Sequence, residues 1–391
     1  MRIAIVGYGT AGQAAAIFLA RDGHAIEMFE QSAELKPVGA GFLLQPTGFG
    51  VLKTLGLADA ALAMGARIER LHGCNAVGRV VMDMAYADHA PDGFGLGMTR
   101  GALFSLLHGA SADAAAIRTG VRITAIADEG HGLIDATGRE YGPYDLVIVA
   151  DGANSALRGA SGLAARDPKY PWGAMWCLLS AEGWPHPTEL RQRYDGARTM
   201  LGVLPVGARP DFDHGRRWLT FYYSLPGANI DAFDAQALDI MQHDVAALWP
   251  ELAELTREIY DPAALNRARY RDVVMRTPWR GRVVFIGDCA HGMSPQLGQG
   301  VNMALLDAEA LAEALRSETD LEQALARYAR NRASHVAVYQ ALSRWLTPLF
   351  QSDRTMLGPL RDTLFGPLGR LPLARREMLK ILTGTKRGWL S

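Results

Sequence analysis

The sequence predicts an α/β fold in which a parallel, helix-covered sheet is interrupted by a β-rich insertion and followed by a helical C-terminal region. Three observations carry that prediction. A strand, a glycine-rich turn, a helix and a second strand succeed one another within residues 2–30. A strand reaching Asp288 leads through a turn into a clean helix near Gly300. Between them, residues 166–271 change texture to alternating strands crowded with Trp, Tyr and Phe.

Taken in order, "RIAIV" (2–6) reads as a short buried strand, and Gly7-Tyr8-Gly9-Thr10-Ala11-Gly12 as the turn behind it. "QAAAIFLARDG" is an Ala-rich helix stopped by Gly23, and "HAIEMFE" a second strand ending in Glu30. "GAGFLLQPTGFGVLKTLGL" (39–57) reads as a loop leading into a helix, and "RLHGCNAVGRVVMDM" as a hairpin turning near Gly78. "TRGALFSLLHGAS" (99–111) is helical, and 121–155 is a strand meander closing on an acidic turn. The insertion contains "AMWCLLSA", "ARTMLGVLPV" and "RWLTFYYSLP" as strands and "FDAQALDIMQHDVAALW" as a helix. "GRVVFIGD" (281–288) returns to the parallel-strand style, 301–347 is largely helical, and 348–391 is helical pieces broken by Gly and Pro.

Gly7, Gly9 and Gly12 form GxGxxG between a strand and a helix. The first glycine permits the tight turn, the second lets backbone approach a pyrophosphate, and the third allows close helix–strand packing. The diphosphate then meets free N–H groups at a helix N-terminus, and Glu30 is placed to accept from ribose hydroxyls. NAD and FAD both satisfy this half. The second motif discriminates between them. Asp288 suits the hydroxyls of a flexible polyol such as ribitol, and "LGQG" presents N–H groups at the start of a helix. That positive end suits negative charge on the N1–C2=O edge of a reduced flavin. The molecule that satisfies both ends is FAD, which makes the fold a GxGxxG-type FAD-binding fold of the glutathione-reductase-like kind.

Composition narrows the rest. Apolar residues make up 49%, charged residues 21%, and the net charge is −1, so nothing points to nucleic acid. Cys74, Cys177 and Cys289 lie far apart and form no CxxC, which argues against a disulfide framework or a metal site. With no signal peptide and no run approaching about 18 apolar residues, the expected location is cytoplasmic. The oligomeric state, monomer or homodimer, stays open.

The chain resembles the single-component, class A flavoprotein monooxygenases, the group of para-hydroxybenzoate and salicylate hydroxylases. The resemblance covers nearly the whole chain and rests on three motifs in order: GxGxxG with Glu30, "YDLVIVADGANSALR" with Asp151, Gly152 and Arg158, and Gly287-Asp288 followed by "SPQLGQGVNMALLDA". It implies that Gly7, Gly9, Ala11, Gly12, Glu30 and Gln31 hold the adenosine end of FAD. Arg100 matches an arginine that reaches the diphosphate region, with Ile123 nearby on the family pattern. Asp151 and Gly152 would support both FAD and nicotinamide binding. Gly41 belongs to the segment passing beside the flavin, and Asp288, Pro295, Gly298, Gly300, Val301 and Asn302 to its far end. The family commonly has Arg where Gln31 stands and Ala where Cys289 stands. No second GxGxxG exists, so NAD(P)H is expected to dock transiently as a co-substrate.

The implied domains are a discontinuous FAD-binding domain (1–70, 98–165 and 272–330), a β-rich substrate domain (71–97 and 166–271) and a C-terminal helical region (331–391). The implied reaction reduces FAD with NAD(P)H, forms a C4a-hydroperoxyflavin with O2, and hydroxylates an aromatic or similarly activated small molecule. The aromatic strands at 172–184 and 218–226 suit the wall that keeps water out. Pro295 would lie beside the flavin ring. His214, Tyr222, Tyr223 and His291 are candidates for moving a substrate proton, each with a plain structural alternative. Consecutive tyrosines in a strand face opposite ways, so at most one of Tyr222 and Tyr223 points inward. The Leu-, Arg- and Lys-rich tail reads as helices packed on the main body; the alternative is an interfacial helix resting on a membrane. A flavin reductase or dehydrogenase, a halogenase, and a non-catalytic redox-sensing flavoprotein are the alternative functions. The halogenase finds no WxWxIP stretch in its support.

Overall fold

The first strand, Arg2–Val6, is buried from Ile3 onward and runs parallel to Ala25–Phe29 on one side and Leu146–Val149 on the other. The computed structural model describes residues 1–36, 39–127, 130–209 and 213–389, with the backbone alone at 213–215. Ala116–Arg118 and Val283–Phe285 extend the parallel arrangement, and Trp279–Arg280 adds an antiparallel edge. The central strands are continuous apolar runs because both faces of such a sheet are covered.

Helices Thr10–Arg21 and Gly300–Ser317 pack against each other on one of those faces. Their contact is lined by Ala11, Ala14, Ala15, Ala304, Ala308 and Ala312, all buried. Small side chains let the two helices approach closely, and this brings their N-termini together. Residues 39–57 are more ordered than the sequence suggested: Gly41–Leu44 is a strand, and the helix begins only at Pro46. That strand pairs with Gly95–Thr99, which also pairs with Ala66–Ile68, in a small sheet of its own.

A seven-stranded sheet forms the second lobe, drawn from Arg70–Asn75, Val80–Ala85, Lys169–Ser180, Glu189–Asp195, Thr199–Arg209, Asp213–Pro226 and Asn266–Arg271. Along Asp213–Pro226, Leu219, Phe221, Tyr223 and Leu225 face helix Ala235–Leu248 and its neighbours. Thr220, Tyr222 and Ser224 therefore face the other way, toward the first lobe. The two lobes meet through glycine. A side chain at Gly41 would overlap Thr220 Oγ1, and one at Gly97 would overlap the Pro205 carbonyl.

Helix Leu321–Phe350 runs without a break from the first lobe into the C-terminal region, and Leu357–Leu368 and Pro372–Thr383 follow it. Arg361 is fully buried there, its guanidinium 4.5 Å from the Tyr194 ring and 5.0 Å from that of Phe350. Among the described residues no helix is long and apolar enough to cross a membrane.

Candidate FAD site and active site

Gly7 has φ +106°, and a side chain on it would overlap the Ala150 carbonyl oxygen beside Asp151. A side chain at Gly12 would overlap the Gly7 carbonyl oxygen, whereas one at Gly9 meets nothing within 4 Å. The outer two glycines are thus demanded by the protein itself, and the middle one leaves open space where a diphosphate would pass. Glu30, one residue beyond its strand, accepts from the backbone N–H of Tyr8 at 3.0 Å and of Ser32 at 2.8 Å. Its carboxylate is held at the turn with lone pairs to spare for ribose hydroxyls. Gln31 is exposed, and Ile123 is buried among Val6 and Phe29 beside this edge.

The second motif closes on the first. Strand Val283–Phe285 ends earlier than the sequence suggested, and Asp288 opens a short helix, Asp288–His291, instead of closing the strand. Gly287 there has φ +68°, and a Cβ on it would lie 2.9 Å from the Ala11 Cβ. A Cβ on Gly300, the first residue of its helix, would lie 3.5 Å from Asp288 Oδ1. The two glycine bends therefore touch, with an acid between two helix starts. Asp151 stands alongside: its Oδ1 is buried without a hydrogen-bond partner, and burial raises its pKa against the pull of Ser155. Gly152, at φ +83°, opens onto empty space. Arg100 is exposed, its methylenes lie against Gly39, and it makes no ion pair among the described residues.

At the far end, Pro295–Leu297 forms a single turn with Pro295 exposed, and Gly298 takes the left-handed conformation at φ +62°. Asn302 is wholly buried. It accepts from Gln45 N at 2.8 Å and donates to Gly298 O at 3.0 Å and Leu43 O at 3.4 Å. Its side chain thus pins the strand holding Gly41 to the turn holding Gly298. Val301 is buried behind them. Gln299 reaches outward to donate to Leu382 O at 2.8 Å, tying this turn to the C-terminal helices.

Several supporting residues lay outside the sequence reading. Asp307 is fully buried, accepting from Gly287 N at 2.8 Å and bonded to His291 Nε2 at 2.5 Å and Arg332 Nε at 2.7 Å. Arg332 also donates to His335 Nδ1 at 2.8 Å, and His335 Nε2 to Gly384 O at 3.0 Å. The His291 charge and the Arg332 guanidinium hold the Asp307 carboxyl well below the usual carboxylate range against its burial. A lone acid on an otherwise apolar helix face was the available signal. His291 is consequently engaged in holding the Gly287 turn. Arg158 plays a similar part, donating to Ala153 O at 2.7 Å and Cys289 O at 3.1 Å while pairing with Asp167 at 2.7 Å. The three thiols are free and buried.

The substrate candidates separate cleanly. Tyr223 donates to Asp244 Oδ2 at 2.7 Å on the helix-covered face of the sheet. Tyr222 lies on the opposite face, its ring over Gly202, accepting from Gln192 Nε2. Gln192 Oε1 in turn accepts from the buried Tyr194 hydroxyl at 2.7 Å. Burial pushes the Tyr222 hydroxyl up to about 12, which favours its protonated form. The side chain of His214 lies outside the described residues. A cleft of about 490 Å³ is lined by Gly39, Thr99, Trp176, Leu178, Trp218 and Asn266; Tyr222 is not among its lining residues, although its strand partner Trp176 is. That volume suits a small organic ligand.

Residues 1–341 match the family described as FAD binding domain. The chain belongs to this family. FAD is its cofactor, and the open space at Gly9, the unpartnered Asp151 Oδ1 and Asp288 between two helix starts fit that molecule. The chain is 29% identical to "Aurachin C monooxygenase/isomerase" of Stigmatella aurantiaca, over 94% of this chain and 99% of the relative. It is 28% identical to 6-hydroxynicotinate 3-monooxygenase of Pseudomonas fluorescens, over 88% and 91% of the two chains. Among solved structures it is similar to Klebsiella pneumoniae HpxO complexed with FAD and uric acid. That likeness has a TM-score of 0.81 at 22% identity and covers 100% of this chain and 98% of that one.

Proposed function

We propose that the protein is an FAD-dependent monooxygenase that uses NAD(P)H and O2 to hydroxylate an aromatic ring. The observation that carries this reading is the close approach of Gly287 to Ala11, which supports a single cradle running from Glu30 beside the first glycine turn, past Asp151, to Asp288. Relatives named as monooxygenases support the activity. The names 6-hydroxynicotinate and uric acid support an oxygen-bearing nitrogen heterocycle as the substrate class. Three buried, unpaired thiols are consistent with a reducing, cytoplasmic setting.

When bound, FAD supplies hydride acceptance and the activation of O2. This chain's residues supply the surroundings. Glu30 would take the adenosine ribose, Gly9 and the start of helix Thr10–Arg21 would face the diphosphate with Arg100 beside it, and Asp288 would take the ribityl hydroxyls. The segments of Gly41 and Gly298 would flank the ring; Gly41 is glycine because a side chain there would overlap Thr220, and Gly298 because of its left-handed backbone. The N-terminus of Gly300–Ser317 would stabilise negative charge on the reduced flavin. Tyr222 donates its hydroxyl proton to the substrate's ring oxygen while Gln192 fixes it from behind. Trp176 and Leu178, on the same sheet face, exclude water.

The test uses the purified holoenzyme and follows NADH and NADPH oxidation with and without phenols and hydroxylated N-heteroaromatics. Substrate-stimulated oxidation with one oxygen incorporated from O2 is expected. Oxidation of the nucleotide without oxygen incorporation into any ring would overturn the hydroxylase reading. Asp288→Ala should give nearly colourless protein, and full flavin content in that variant would remove Asp288 from the ribityl contact.

A further inference from the structure

Helix Leu357–Leu368 buries one face and leaves the other bare. Arg361 and Phe365 turn inward against Tyr194 and Phe350, in the layer that also holds Tyr222. Leu360, Leu364 and Leu368 recur at every fourth residue and are all exposed, so they form one outward stripe. Met356 extends it at one end, and Leu371 and Leu373 extend it at the other; Met356 is 77% and Leu373 75% exposed. Single surface leucines are ordinary, but a helical stripe with further exposed apolar residues before and after it marks a contact surface.

The charges around the row are sorted. Every acid from Asp353 to Thr383 is already paired: Asp353 with Arg198 at 2.8 Å, Asp362 with Arg361 at 2.6 Å, and Glu377 with Lys380 at 3.0 Å and Lys386 at 2.7 Å. Arg354, Arg370 and Arg376 are exposed and make no ion pair among the described residues. Within residues 353–383, therefore, the unpaired exposed charge is positive; the exposed Asp195 lies on the neighbouring strand end, near Gly358. A symmetric second copy would bring these arginines face to face with like charge. An anionic lipid surface answers both features, taking the leucines at the headgroup–acyl boundary and the arginines at phosphates.

We propose that the Leu357–Thr383 helix pair is an interfacial dock for a bilayer rich in anionic phospholipid. No helix here crosses the membrane; the pair lies on it. Its inner side is fastened to the flavin turn, through Gln299 to Leu382 O at 2.8 Å and Thr47 to Thr383 O at 3.3 Å. The docked face thus backs directly onto the catalytic lobe. This surface argument is independent of which ring is hydroxylated.

Flotation of the FAD-loaded enzyme tests it, with vesicles of phosphatidylglycerol and phosphatidylcholine in equal parts and of phosphatidylcholine alone. Wild type should float with the mixed vesicles and far less with the neutral ones. The double variant Leu364→Glu, Leu368→Glu should lose at least about ten-fold in binding, since each charge enters an apolar boundary. Neutralising Arg354, Arg370 and Arg376 to Gln should cost about five-fold per residue on the mixed vesicles. Bound FAD and the unfolding midpoint, unchanged in all variants, establish that each is folded. Wild type that stays at the bottom of the gradient, or variants that float as it does, would overturn the proposal. So would light scattering that shows a dimer dissociated by the leucine substitutions with no vesicle binding.

Discussion

At Gly9 an added methyl group meets nothing within 4 Å, whereas at Gly12 it overlaps the Gly7 carbonyl. The same substitution should therefore do two different things. Gly9→Ala should keep its unfolding midpoint without cofactor but bind FAD at least about ten-fold more weakly, since on the proposed placement only the diphosphate needs that space. Gly12→Ala should lose about 1–3 kcal/mol of stability even without cofactor, because protein packs against protein there. Titration of FAD against urea unfolding of the two apoproteins separates the cases. Tyr222 is the second residue whose environment sets its role. With its hydroxyl pushed up to about 12, activity should show no Tyr222 ionisation between pH 6 and 9. Tyr222→Phe should lower kcat/KM by about ten-fold, the worth of one hydrogen bond of about 1.5 kcal/mol, without moving any limb of the pH profile. A profile whose alkaline limb vanishes in Tyr222→Phe would restore the base role.

Among elements, strand Gly41–Leu44 depends on a partner far away in sequence. Its register against the flavin turn is set by Asn302, whose carbonyl receives the buried Gln45 N–H at 2.8 Å. Asn302→Ala would leave that donor unsatisfied along with the Leu43 and Gly298 contacts, at a cost of about 1–3 kcal/mol. On the proposed placement of this strand beside the flavin, FAD content should fall along with stability. Chemical denaturation with and without added FAD measures both, and a variant that loses stability while keeping full affinity would show that the strand is held otherwise.

Across the whole molecule, a buried polar chain runs from the Gly287 turn through Asp307 and Arg332 to His335 and the C-terminal Gly384 carbonyl. Burial and the Arg332 charge lower His335 to about 4 from its ordinary 6.5. A base depressed in the folded state is protonated more readily in the unfolded chain. Its contribution is therefore complete above pH 6.5 and is lost as pH falls toward 4, by up to about 3 kcal/mol. Asp307, an acid held low, keeps its contribution above its ordinary pKa of 3.8 and loses it only at more acid pH. Stability measured from pH 7 to pH 4 should thus drop through His335 first. His335→Gln should be less stable at pH 7 and show a shallower drop over that window. An unchanged slope would assign the acid sensitivity to other groups.

The local grammar of the chain determined the FAD-binding lobe: strand, glycine turn, helix and acidic strand end are short-range patterns, and backbone sterics at Gly7 and Gly12 leave few alternatives. It also determined the alternation that sends Tyr222 and Tyr223 to opposite faces, since a strand's period is two. What only the tertiary structure decided are pairings between distant residues. Asn302 with Gln45, Asp307 with Arg332, Gln192 with Tyr222, and Gly287 against Ala11 depend on how helices and sheets stack. Nothing in the composition of one segment encodes its partner in another. The bare leucine row of the C-terminal helix belongs to the same class. Sequence supplied the spacing of those residues, but which side of a helix meets water is settled by what the rest of the chain packs against it.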